Sequence, residues 1–191
     1  MKKLLYYSII ILFFNSCQVC GVTNDYDKLT DEQLTHLAPF TSFKEAVPGK
    51  VYEINAKVLK EEMKGQPKSL VYIFANGCTS SHCMQLSVFK DYADKNGYNL
   101  YLVMSGYWNL DKTLKQNIEL PLYTISPAYY NTKYSLTYMR KFENELMDIP
   151  VETKRKDRKT DGTLFFYNYG ILDTISFDLP ISEKLPYDHN L

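Results

Sequence analysis

The sequence predicts an α/β fold, a central mixed sheet with helices on both faces. Three observations lead there. Leu70-Val71-Tyr72-Ile73-Phe74 is an unbroken apolar run, rich in β-branched and aromatic residues and ended by Gly77, which reads as a buried strand. A helical pattern follows, and then a second apolar run, Asn99–Met104. Strand, helix and strand at this spacing form a βαβ unit, with parallel pairing and a right-handed crossover. Near the end, Gly162–Gly170 and Ile171–Phe177 are two extended runs that predict a hairpin.

At 191 residues the chain is sized for one domain with a substantial core. The formal net charge is zero, which removes the electrostatic case for a nucleic-acid partner. Residues 1–16 stand apart from the fold. Lys2 and Lys3 form a basic start, and Leu4–Phe14 is an apolar stretch too short for a permanent membrane helix. Phe14-Asn15-Ser16-Cys17 follows at once. This resembles a bacterial lipoprotein signal, which implies lipidation of Cys17 and a partner in the membrane. The mature chain would sit in the bacterial cell envelope, facing the periplasm or the exterior. Ordinary secretory cleavage is the alternative, and it also takes the chain out of the cytoplasm. Cys17-Gln-Val-Cys20 is formally a Cys-x-x-Cys, but its first thiol would become a thioether.

Residues 17–48 read as a tether and N-terminal segment, and 49–191 as the domain. Thr30-Asp-Glu-Gln33 has the form of a capping box for a short helix, with Leu29 and Phe40 as flanking anchors. Val51–Ile54 alternates as a strand, and Asn55 is placed to cap a helix over Ala56–Lys64. Past the central run, Leu86, Phe89 and Ala93 share a face of a helix expected from Ser81 to Asn96. Asn109–Gln116 is a weaker helix. Leu120–Ile125 is a short extended segment assigned to a sheet edge because of Pro121. Asn131–Asp148 is a strong helix, with Tyr134, Tyr138, Phe142 and Leu146 as a core stripe. Lys154–Lys159 carries five basic residues in six and reads as a solvated loop, with anionic lipid headgroups as the alternative contact.

The chemistry concentrates at the end of the central run. Cys78 follows Gly77, and Cys83 comes five residues later, preceded by His82. A helix N-terminus favours a thiolate, and Thr79-Ser80-Ser81 offer capping hydroxyls, so Cys83 is expected in the first turn of the next helix. With Cys17 lipidated, Cys20 beside the tether is an odd cysteine, and Cys78 and Cys83 remain the natural pair in an oxidising compartment.

Ile73-Phe74-Ala75-Asn76-Gly77-Cys78 resembles the strand and active-site cysteine of a thioredoxin-like domain. Gly162-Thr163-Leu164-Phe165-Phe166, ending at Gly170, resembles the family's strand after its cis-proline. The resemblance implies a thioredoxin-like fold and a thiol–disulfide oxidoreductase acting on protein thiols or disulfides, without a cofactor. Cys78 would be the nucleophile, Cys83 the resolving thiol, and His82 a group that stabilises a thiolate. Three departures accompany it. The cysteines are spaced Cys-x4-Cys rather than Cys-x-x-Cys, Gly162 stands where the proline is expected, and Tyr72 occupies the place of the buried acid. Pro150 follows Ile149 but lies twelve residues too early to serve. Tyrosine, with a reference pKa of about 10, is a poor proton acceptor near neutral pH. These departures imply weak general reductase activity. Two other readings stand beside the enzyme. One is a non-catalytic binding module whose pair is a structural disulfide. The other is a Cu(I) site from Cys78, His82, Cys83 and Met84, a soft donor set. His36, His82 and His189 are too scattered in sequence to suggest a zinc centre.

Overall fold

A computed structural model describes residues 22–77 and 84–180. Among the described residues seven strands form one sheet: β1 (Leu37–Ala38), β2 (Val51–Ile54), β3 (Lys68–Phe74), β4 (Asn99–Met104), β5 (Leu122–Ile125), β6 (Leu164–Asn168) and β7 (Ile171–Ser176). Their spatial order is β1-β2-β5-β4-β3-β6-β7. The first five strands in that order run parallel, while β6 and β7 are antiparallel additions beside β3. The sheet is therefore mixed, and β4-β3-β6 are neighbours as the apolar runs predicted.

Period-two alternation sorts the strand residues onto two faces. Val71, Ile73, Tyr101, Val103, Phe165 and Tyr167 point to one side. There they meet α2 (Ala56–Lys64) and α5 (Ser135–Leu146), which bring Leu59, Met63, Tyr138, Phe142 and Leu146. Leu70, Leu102, Met104, Leu164 and Phe166 point to the other side. They meet α3 (Leu86–Asn96) and α4 (Leu110–Leu114) through Leu86, Phe89 and Leu110. Helices thus cover both faces, as expected for parallel strands buried on both sides.

The caps follow the sequence closely at two helices. Thr30 and Gln33 exchange both bonds of a capping box at α1 (Asp31–Leu34). The Asn55 side chain accepts from Val58 N at 3.0 Å to start α2. The segment ahead of β2 is part of the packing. β1 pairs with β2, Leu29 and Leu37 reach one core, and Phe40 and Phe43 reach the other.

Four expectations are corrected. The helix expected from Ser81 begins at Leu86, and its first turn holds no cysteine. Gln85 is extended, and the Leu86 N–H donates to Gln116 Oε1 at 2.8 Å. The end of α4 thus caps α3, a partner thirty residues away that no local pattern shows. The segment at Pro121 is not an edge. β5 lies between β2 and β4, and all four of its residues are buried. Pro121 precedes the ladder, and the first N–H that the ladder needs, that of Leu122, donates to Lys50 O. The long helix starts at Ser135, because Asn131 is left-handed and Tyr134 is an extended N-cap, leaving Tyr134 exposed while Tyr138, Phe142 and Leu146 are fully buried. Lys154–Lys159 is not a solvated loop throughout: the Arg158 side chain is 1% exposed.

Candidate functional site

The C-terminal end of β3 sits between β4 and β6, and both neighbours continue the ladder past it. Ser105 N donates to Phe74 O, and Ile73 N donates to Thr163 O, each at 2.9 Å. Beyond Phe74 the chain turns through Ala75-Asn76-Gly77. Asn76 is 3% exposed and fixes this turn. Its Nδ2 donates to Gly106 O at 2.8 Å, and its Oδ1 accepts from Thr113 Oγ1 at 2.6 Å. Gly77 has φ +65°, and a Cβ there would meet Asn109 and Lys112 atoms at 2.7–2.9 Å. A glycine is required on both counts. Asn76 therefore ties the strand end to the loop after β4 and to α4, so the residue that leads into Cys78 is held from two sides.

Cys78, His82 and Cys83, three of the four candidate copper ligands, lie outside the described residues, as does Cys17. So do the capping hydroxyls of Thr79-Ser80-Ser81 and the pairing of Cys78 with Cys83. Met84 is half-buried and packs against the cluster of Leu70, Phe89, Leu164 and Phe166. It also lines a pocket of about 150 Å³ with Tyr72, Phe74, Gly77, Lys112 and Gln116. Among the described residues no group of three or more His, Asp and Glu side chains is placed to hold a metal.

Tyr72 occupies the face toward α3. Its ring stacks on Phe89 at 3.9 Å between centroids and on Phe74 at 5.3 Å. Burial pushes its pKa above the ordinary tyrosine value, which makes it a still poorer proton acceptor near neutrality. Gly162 is buried just before β6. A Cβ on it would lie 2.5 Å from Ser176 O and 2.7 Å from Ile175 Cγ2. The cause is a close strand approach, because Thr163 N donates to Ser176 O at 3.0 Å. Among the described residues there is no cis peptide bond.

A larger pocket, about 430 Å³, opens at the C-terminal ends of β3 and β4 on the α5 side. Its wall includes Ile73, Phe74, Met139 and Thr163, and its rim carries Trp108, Leu136 and Phe177. Those three rim side chains are 45%, 74% and 60% exposed, an unusual grouping of large apolar residues around one cavity. Its polar side holds Glu143 and Arg155. Glu143 is 1% exposed and accepts from Arg155 Nη2 at 2.9 Å and from Arg158 Nη1 at 2.7 Å. Arg158 also donates to Asn144 Oδ1, Arg140 O and Asp161. Burial raises the Glu143 pKa, and the two guanidiniums oppose that rise. The composition of Lys154–Lys159 was the one sequence signal of this cluster; the choice of Arg155 and Arg158, and of Glu143 as their partner, was not visible.

The arrangement defines an α/β protein with a mixed seven-stranded sheet and a cavity outside the carboxyl ends of its central strands, where open α/β sheets commonly take ligands. No protein-family model, curated protein or solved structure matches this chain.

Proposed function

We propose that this chain is a membrane-tethered, extracytoplasmic protein of thioredoxin-like fold that exchanges disulfides through Cys78 and Cys83. One observation carries the reading. The central strand β3 ends between β4 and β6, an apolar cavity opens beside Phe74, Ala75 and Asn76 at that end, and Cys78 comes four residues after Phe74 in the sequence. In the exchange, the Cys78 thiolate attacks a substrate disulfide and releases one substrate thiolate. The Cys83 thiolate then attacks the Cys78 sulfur, releases the second substrate thiol and leaves a Cys78–Cys83 disulfide, so two electrons pass to the substrate. Tyr72 and Gly162 favour a second reading, a binding module with a structural disulfide. Burial keeps the Tyr72 phenol protonated near neutrality, so it cannot take a proton from a thiol, and Gly162 has no room for a proline ring.

The reduction potential of the Cys78–Cys83 couple separates the two. A value near about −200 mV is expected for exchange, and one below about −300 mV would replace that reading with the structural bridge. Insulin reduction is expected to be far slower than that of an ordinary thioredoxin, and a comparable rate would show that neither departure matters. The tether is tested by Cys17→Ala. In the native host the variant should move from the detergent phase to the aqueous phase, and unchanged partitioning would remove the lipid anchor.

A further inference from the structure

The larger cavity carries an inference that does not depend on either cysteine. Three features act together there. Its volume of about 430 Å³ suits a small molecule rather than a single side chain. Its apolar surface comes from separate elements: Phe74 at the end of β3, Trp108 after β4, Leu136 and Met139 on α5, and Phe177 after β7. Its polar surface ends in a cation. Both Glu143 oxygens are occupied by guanidinium donors, so the carboxylate is neutralised within the wall. The group left facing outward is Arg155, whose side chain is 46% exposed. Its Nη2 is bonded to Glu143 and its Nε faces Asp161, while Nη1 has no hydrogen-bond partner among the described residues. Lys154 and Lys156, which flank Arg155 in the chain, are exposed and make no ion pair among the described residues.

We propose that this cavity binds a small organic carboxylate with an aromatic or branched apolar body. The body lies among Phe74, Trp108, Leu136, Met139 and Phe177, and the carboxylate accepts from Arg155 Nη1. A guanidinium held in place by two acids loses little freedom when it takes a third, which suits it to planar carboxylate recognition.

Trp108 is the chain's one tryptophan, so its emission reports on the cavity directly. The full chain is titrated with 3-phenylpropionate, with the neutral 3-phenylpropanamide and with acetate. The expected result is a saturable change in emission with 3-phenylpropionate, at least about tenfold weaker with the amide, and none with acetate below about 1 mM. Leu136→Ala and Phe177→Ala alter exposed side chains and should weaken binding of both aromatic probes together. Arg155→Gln should bring acid and amide to within about threefold of each other. Equal binding of acid and amide by the unmodified chain would overturn the proposal, and that comparison needs no variant to fold. An absence of saturation with either aromatic probe would also overturn it. A response confined to peptides carrying an apolar residue beside an acid would overturn it in favour of a protein-docking surface.

Discussion

Arg158→Ala is expected to destabilise the protein by about 3–5 kcal/mol, because it strips the principal partner from a carboxylate that stays buried. Glu143 would retain only Arg155, which is itself half exposed, and Asn144 Oδ1 and Arg140 O would lose their donor. A fall in Tm on the order of 10 °C should follow. The pH dependence has a definite sign. The folded pKa of Glu143 is raised above its unfolded value by burial. Between the two values the folded state binds the extra proton, so this residue's contribution to stability is largest below the unfolded pKa and declines as pH rises through the folded pKa. Removing Arg158 takes away a lowering influence and widens that window upward. The cost of the variant should therefore be greatest near neutrality and shrink toward pH 4.5, and Glu143→Gln should recover part of it. Urea unfolding of Arg158→Ala at several pH values measures this directly. A penalty that stays flat with pH would show that lost packing, and not the stranded carboxylate, is responsible.

The second large effect is expected at Gly162. Alanine there should cost about 1–3 kcal/mol, because its Cβ meets the backbone oxygen of Ser176 and not a side chain that can swing away. Proline should cost more. It adds ring atoms to the same space and removes the Gly162 N–H that donates to Asp161 Oδ1. Restoring the residue that the thioredoxin-like pattern expects should therefore loosen the hairpin without raising insulin reduction. A stable Gly162→Pro variant with a faster reaction would show instead that β7 yields, and that the glycine alone limits the chemistry.

Local chemistry explains what was readable. The five strongest strands announced themselves by apolar runs or alternation, since burying both sheet faces demands that composition whatever the neighbours do. The capping box at Thr30 and the Asn55 cap were equally legible, because each partner lies three residues from the other. The order of the strands was less so. Nothing in Leu122–Ile125 states that it lies between β2 and β4. Pro121 suggested an edge, because a missing donor is harmful only inside a ladder, and only the three-dimensional register shows that the ladder starts one residue later.

By itself the sequence determined the α/β class and the neighbouring strands β4, β3 and β6. These rest on periodicity and on interactions within a few residues. Only the tertiary structure decided where α3 begins, why Gly162 tolerates no side chain, and that Arg155 and Arg158 enclose Glu143 beside an apolar cavity. Each of those depends on a partner distant in the chain: Gln116 for Leu86, Ser176 for Gly162, and the 155–158 turn for α5. A basic run looks the same whether its charges face water or a buried acid. The difference lies in desolvation, which only packing imposes.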